Sequence, residues 1–292
     1  MHGAAACQSR QNRGRGRFHA ARDKRPFPAW QANEGHCGEA WVTLGALGGQ
    51  ARAPWMGTTV TCPTMRYHPA VVAETFASLA ALYPGRVFLG VGSGEALNEQ
   101  AATGMWPAWP ERWERLAEAI EIIRGLWSGE TVKHQGKYYT VDGKLYDPPP
   151  QPIPLLTAAN GKKSMRLAGT HGDGLITDPM TWKQHKTEWE EGARASGKDP
   201  SQMPVLVEQF VVVGDKEEAA RAAEKWRFIP KAFKKYYNVA DPAEIQRQAE
   251  NDLPLDKVFA EWPVGTDPGP HIQEIEQLFA AGASIVNIHS GQ

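Results

Sequence analysis

The sequence predicts an α/β fold in which strand-helix units repeat to form a parallel sheet wrapped by helices, closed as a βα barrel rather than left as an open sheet. Three observations carry this. Short runs such as Val87–Val91 are apolar throughout, as strands covered on both faces must be. Most of these runs are followed by a segment with the three-and-four apolar spacing of a helix. The 292 residues suffice for the number of units that a barrel requires.

Taken in order, residues 1–29 stand apart. Residues 1–25 carry seven Arg and Lys, a single acid (Asp23) and no apolar periodicity, so this segment is expected to be disordered. Order begins near Trp30. A helix end over 40–46 and a β-rich run over 55–60 come next, closed by Thr61-Cys62-Pro63. Pro69 opens a helix marked by Val71, Val72, Phe76, Leu79 and Leu82. After Pro84-Gly85 the strand Val87–Val91 runs into Gly92-Ser93-Gly94, where glycines let backbone approach a ligand. If the chain then turns helical, Glu95 and Asn98 share one face. Pro110 opens a helix with Trp113, Leu116, Ile120, Ile123 and Trp127, and Gly129 ends it. Residues 130–142 read as an inserted hairpin turning at Gln135-Gly136. Alternation resumes with strands over 154–158, 174–177 and 205–213 and helices over 162–170 and 181–195. A helical insertion spans 217–258, and the last unit is a helix over 269–281 with a strand over 284–289.

Composition narrows the function. With 32 Lys+Arg against 33 Asp+Glu the formal net charge is -1, so no global field collects nucleic acid or an anionic membrane. The expected partner is a small molecule. Three separated cysteines and the lack of a long apolar run fit a cytoplasmic protein that neither spans nor binds a membrane. No nucleophile elbow and no close metal-ligand pair occur, which argues against hydrolase and metal chemistry.

In a βα barrel the residues just after each strand form the site. That rule selects 59–64, 92–98, 158–161, 177–179, Glu208 and His289. Glu95 is the leading acid or base, a carboxylate at the end of a buried strand where the ionised form is disfavoured; the bland alternative is a carboxylate answering a helix dipole. Ala158-Ala159-Asn160-Gly161 before Lys162, Lys163, Ser164 and Arg166 reads either as an anion site of backbone N–H groups or as a turn with a solvated basic face. His36 and His289 are further titratable candidates.

The stretch from Tyr83 to Glu99, with Gly57-Thr58-Thr59-Val60 and Arg66-Tyr67-His68-Pro69, closely resembles the luciferase-like, deazaflavin-dependent oxidoreductases, nearest their glucose-6-phosphate dehydrogenase-like branch. Ala158 to Gly161, His171 to Gly174 and Asn287-Ile288-His289 extend the resemblance over residues 30–292. It implies a TIM barrel, usually homodimeric, that binds coenzyme F420 and moves a hydride between its deazaflavin and an alcohol or carbonyl carbon. It further implies a cis peptide at Thr59-Val60 behind the deazaflavin, ring and ribityl contacts from Thr61, Gly92, Ser93 and Asn98, and a phosphate held by Ala159, Asn160 and Gly161. Glu95 matches the family's proton donor, Trp30 its active-site tryptophan, and His36 and His289 align with pocket histidines.

Departures from the family are equally informative. Pro26 stands where the family has a catalytic histidine, so His289 is the expected replacement. The first strand-helix unit, the second strand and the final helix have no sequence counterpart, and an incomplete barrel is expected. The positions that hold a sugar phosphate in that branch are here Asp178, Thr181 and Ala260, which disfavours a phosphorylated sugar. The expected substrate is a hydroxylated lipid or a small secondary alcohol, near Trp30, Trp106, Trp109 and Trp182. Two alternatives stay open: an FMN-dependent monooxygenase of the same superfamily, and a catalytically silent relative.

Overall fold

The computed structural model describes residues 20–23, 29–36, 38–50, 55–227 and 237–290. Seven strands form one parallel sheet: β1 (Ala20–Asp23), β2 (Trp55–Thr58), β3 (Val87–Val91), β6 (Leu155–Ala158), β7 (Gly174–Thr177), β8 (Val205–Val211) and β9 (Ile285–Ser290). Their spatial order, β1-β2-β3-β6-β7-β8-β9, follows the chain. That is the order of a singly wound βα barrel; a doubly wound sheet would reverse direction at a switch point. Among the described residues, β1 and β9 are the two ends of the sheet. The inserted hairpin is present as β4 (Val132–Gln135) and β5 (Thr140–Gly143), paired antiparallel.

The helices fill the gaps between strands: α1 (Ala40–Gln50), α2 (Pro69–Leu82), α3 (Ala96–Thr103), α4 (Trp109–Trp127), α5 (Lys162–His171) and α6 (Pro179–Ala195). The expected helical insertion contains α7 (Lys216–Lys225), α8 (Pro242–Asp252) and the short α9 (Leu255–Val258), and α10 (Pro268–Ala280) precedes β9. Local chemistry sets several starts. His68 Nδ1 accepts from Ala70 N (3.2 Å) ahead of Pro69, and the Asp178 and Asp215 carboxylates cap α6 and α7.

One expectation needs correction. The place beside β2 was expected to be vacant and residues 1–29 disordered, yet Ala20–Asp23 pairs in parallel with Trp55–Thr58. A strand at the end of a sheet is recruited by the unpaired N–H and C=O groups of its neighbour, and that ladder demands no apolar pattern that a sequence reading would detect. Residues 1–19 and 24–28, with Pro26, lie outside the described residues.

Strand alternation divides the core. Leu89 and Val91 face α2 and α4, packing with Val72, Phe76, Trp113, Leu116 and Ile123, whereas Phe88 joins Leu156, Ile176, Leu206 and Ile285 in a separate interior cluster. Inward positions therefore run Phe88, Gly90 and Gly92 on the β3 line, and Ile285, Asn287 and His289 on β9. Beyond this apolar plug the inward positions turn small or polar, at Gly90, Gly92, Asn287 and His289.

Helices α5 and α6 touch backbone to backbone, since a Cβ at Gly192 would lie 2.0 Å from Arg166 O and one at Gly169 2.1 Å from Trp189 O. Gly192→Ala is expected to lower unfolding free energy by about 1–3 kcal/mol through this overpacking. Gly45→Ala, in the interior of α1 with no atom within 4 Å of the new methyl, is expected to raise it by up to about 1 kcal/mol. Urea denaturation of both variants reads the two opposite signs.

Candidate active site

Strand β3 is buried along its whole length and ends at Gly92, after which the chain must turn at the mouth of the barrel. Gly94 makes the turn with φ +85°, and an added Cβ there would meet Cys62 Sγ at 2.8 Å. Glu95 then becomes the N-cap of α3, but its side chain makes no cap hydrogen bond. Instead Glu95 Oε2 accepts from Trp30 Nε1 (3.0 Å) and Asn98 Nδ2 (3.2 Å). The carboxylate thus bonds two side chains, the Trp30 indole and the Asn98 amide of α3, rather than the backbone N–H groups of the helix. Of the two readings the sequence left open for Glu95, the geometry is not that of a dipole cap.

Trp30 is itself fixed. It is 6% exposed, packs with Leu97, Ile245 and Ala249, and its backbone N donates to Glu34 Oε2 (2.7 Å). Burial pushes the Glu34 carboxyl above the usual range, opposed by the N–H groups of Gln31 and Trp30. Gln31 Nε2 in turn donates to Glu224 O (2.9 Å), which ties this segment to α7.

From Trp30 a continuous set of rings crosses the mouth. Trp226 lies 5.7 Å from Trp30 and 5.5 Å from Phe210, and Phe210 stacks on His289 with centroids 4.3 Å apart and planes at 16°. His289 is 9% exposed, and its Nε2 stands 3.9 Å from Glu208 Oε1. Phe210 and His289 are register partners on β8 and β9, so the stack is a product of strand pairing. Phe210, Trp226 and Tyr237 were missed in the sequence. Phe210 lies in an apolar strand, and the other two lie in a region without clear periodicity. His36 stands exposed past Gly35, its N donating to Glu34 O (2.9 Å), and nothing in the described structure joins it to Glu95, Trp30 or His289. Trp182 does not reach this site; it is buried against Trp189.

The loop after β2 supplies the facing wall. The Thr59-Val60 peptide is cis, and Thr61 continues the ladder with Gly90 O accepting from Thr61 N (2.8 Å) and Thr61 O from Gly92 N (3.1 Å). Thr61 Oγ1 accepts from Trp41 Nε1 (3.2 Å). Val60 is 37% exposed, an apolar side chain held open at the mouth, and Gly92 accommodates it because a Cβ there would meet Val60 Cγ2 at 2.6 Å. Ser93 and Asn98 are half-buried beside it.

On the third side, Ala159 N bonds Ile176 O, while Asn160 N and Gly161 N both donate to Ser164 Oγ (3.2 and 3.1 Å). These donors converge on one oxygen at the start of α5, and a Cβ at Gly161 would meet no atom within 4 Å. Lys162 stands 3.5 Å from Glu188, and Arg166 pairs with Glu191. Three features fit a flat cofactor with an anionic chain: the open apolar face of Val60, the space and converged donors at Gly161, and the inward Asn287, whose buried Nδ2 has no acceptor. Among the described residues no group of three or more His, Cys, Asp or Glu is arranged to hold a metal ion. No described helix is long and apolar enough to cross a membrane.

The profile of the luciferase-like monooxygenase family matches residues 27–284. The chain is 49% identical over 257 residues to the F420-dependent hydroxymycolic acid dehydrogenase of Mycobacterium tuberculosis, an alignment covering 87% of this chain and 70% of that protein. It is 40% identical to the F420-dependent glucose-6-phosphate dehydrogenase of Microbacterium testaceum, covering 87% and 77%. Among solved structures, an F420-dependent secondary alcohol dehydrogenase in complex with an F420-acetone adduct superposes with TM-score 0.84 at 37% identity, covering 93% of this chain and 84% of that one.

Beneath Glu95, one helical turn on, Glu99 is fully buried; its Oε2 accepts from Arg66 N (2.9 Å), and burial raises its proton affinity above the usual carboxylate range. A carboxyl whose folded value is raised binds more protons in the native state, so its contribution is complete at low pH and is lost as pH rises from the ordinary carboxylate value through the folded one. Glu99→Gln removes that titration and keeps an acceptor for Arg66 N. Unfolding free energy measured from pH 4 to 8 is therefore expected to fall less steeply in the variant than in the parent; equal slopes would contradict the assignment.

Proposed function

Because the chain belongs to the luciferase-like monooxygenase family, we propose that it is an oxidoreductase that moves a hydride between an alcohol carbon and coenzyme F420. F420 supplies, when bound, a two-electron acceptor for the carbinol hydrogen. Thr59, Val60, Thr61, Gly92, Ser93 and Asn98 hold the ring and its chain, and Ala159, Asn160 and Gly161 hold the phosphate, with Ser164 keeping their donors converged.

The observation that carries this reading is the Glu95 carboxylate, held by Trp30 Nε1 and Asn98 Nδ2 rather than spent on a backbone cap. Proton transfer is assigned to this carboxylate. His289 takes the alcohol proton in place of the histidine that Pro26 replaces, and the Glu208 carboxylate 3.9 Å away stabilises the positive charge the imidazole acquires. Trp30, Phe210 and Trp226 exclude water from the reacting carbon and orient it by shape.

The substrate is an alcohol rather than a sugar phosphate. Thr181 donates both N (2.9 Å) and Oγ1 (2.5 Å) to Asp178, so at this position a phosphate would meet a carboxylate. Exposed Ala260 supplies no charge. The hydroxymycolic acid dehydrogenase and the secondary alcohol dehydrogenase among the relatives support a hydroxylated lipid or a secondary alcohol.

Tryptophan fluorescence of the purified chain is expected to be quenched saturably by F420 and not by FMN. With F420 bound, secondary alcohols should bleach its visible absorbance, and glucose-6-phosphate should not. Glu95→Gln is expected to lower turnover by about 10²–10⁴-fold with F420 affinity retained. Quenching by FMN alone would replace this reading with the flavin monooxygenase one.

A further inference from the structure

Next to Gly94, where an added Cβ would lie 3.5 Å from the Trp106 ring, a second group of residues surrounds a separate cleft. Arg112, on the first turn of α4, is 4% exposed. Its guanidinium lies 3.8 Å over the Trp106 ring and 5.4 Å from the Tyr237 ring, and Nη1 donates to Pro107 O (2.7 Å). Nε has no acceptor, and no carboxylate among the described residues pairs with this cation. Burying a cation without a counter-ion is unfavourable, and ring stacking offsets only part of that loss. Arg112 borders a cleft of about 430 Å³ that Trp106, Trp109, Tyr237 and Asn238 also line.

The same cleft receives the N-terminus of α4. That helix is 19 residues long, and its N-cap, Ala108, offers no side-chain cap, so its first N–H groups and positive dipole end are uncompensated there. The one acid of the first turn, Glu111, is held by Arg115 Nε (3.0 Å) and Nη2 (2.8 Å). Asn238 Oδ1 accepts from Trp106 Nε1 (2.7 Å), so the amide is oriented by the indole. A buried cation, a helix N-terminus and two indoles thus converge on one concavity to which the described residues supply no anion.

We propose that this cleft binds the carboxylate of a small organic acid whose ring or short aliphatic body lies against Trp106 and Trp109. Recognition is by the Arg112 charge and the α4 N-terminus for the carboxylate and by indole faces for the body. The site shares a wall with the candidate active site, since the Tyr237 hydroxyl donates to Gly94 O and also bonds the Ser93 side chain, but Glu95 is not among the residues that line it.

The test uses the full chain without cofactor and reads tryptophan emission. Phenylacetate is the probe and phenylacetamide its uncharged isostere. Phenylacetate is expected to saturate, with the amide at least tenfold weaker. Ala108→Glu places a carboxylate at the exposed cap without disturbing the buried arginine; it should weaken phenylacetate at least tenfold and leave the amide unchanged. Arg112→Gln should abolish the preference for the acid. Glu95→Gln should alter neither, which separates this site from the active site and makes the outcome independent of turnover. Equal affinities for acid and amide, indifference to Ala108→Glu, or loss of binding in Glu95→Gln would each overturn the proposal.

Discussion

Strand β3 is covered on both faces, so every N–H and C=O along Val87–Val91 has to be satisfied by neighbouring strands. That requirement organises the molecule. It brings β2 and β6 alongside in parallel register, it places Phe88 in the interior plug and Leu89 with Val91 against the helices, and it forbids polar chemistry along the strand. Polar side chains are displaced to the strand's C-terminal end, where the ladder runs out. Thr61, pairing with Val91 three residues beyond the end of β2, extends the ladder past the loop that carries Val60.

The site that results is assembled from segments far apart in sequence, and each is held by something other than the ligand. Glu34 holds Trp30, Trp30 and Asn98 hold Glu95, and strand pairing holds His289 on Phe210. Such prior fixing is what catalysis by positioned acid and base groups requires, because geometry lost by an ångström costs rate. Buried Glu99 extends the same logic one turn below, joining α3 to the loop that contains Cys62 and Arg66.

How much of this was legible depended on whether a feature was written in side-chain pattern. The Pro-opened helices, the apolar strands and the hairpin were readable because burial forces periodicity, and β3 was readable as a buried strand ending in the turn Gly92-Ser93-Gly94. Glu95 and Asn98 could be placed on one face from their spacing, and the structure does bring them together. The bond from Trp30 to Glu95 spans 65 positions and has no local signature. Ala20–Asp23 was missed because a terminal strand is selected by backbone pairing. Phe210 and Trp226 were missed because an aromatic residue in a strand or an irregular segment reads the same whether it fills a core or lines a pocket. His36 was drawn toward the pocket by alignment, and its exposed position shows that a shared sequence position does not fix a side chain's surroundings.

Ser164 has a consequence for the energetics of the loop before α5. Its hydroxyl oxygen accepts from the N–H groups of both Asn160 and Gly161, so neither donor is left unpaired at the helix start. In the proposed complex a phosphate oxygen would take over the same two donors, an exchange of one acceptor for another rather than the first pairing of bare N–H groups.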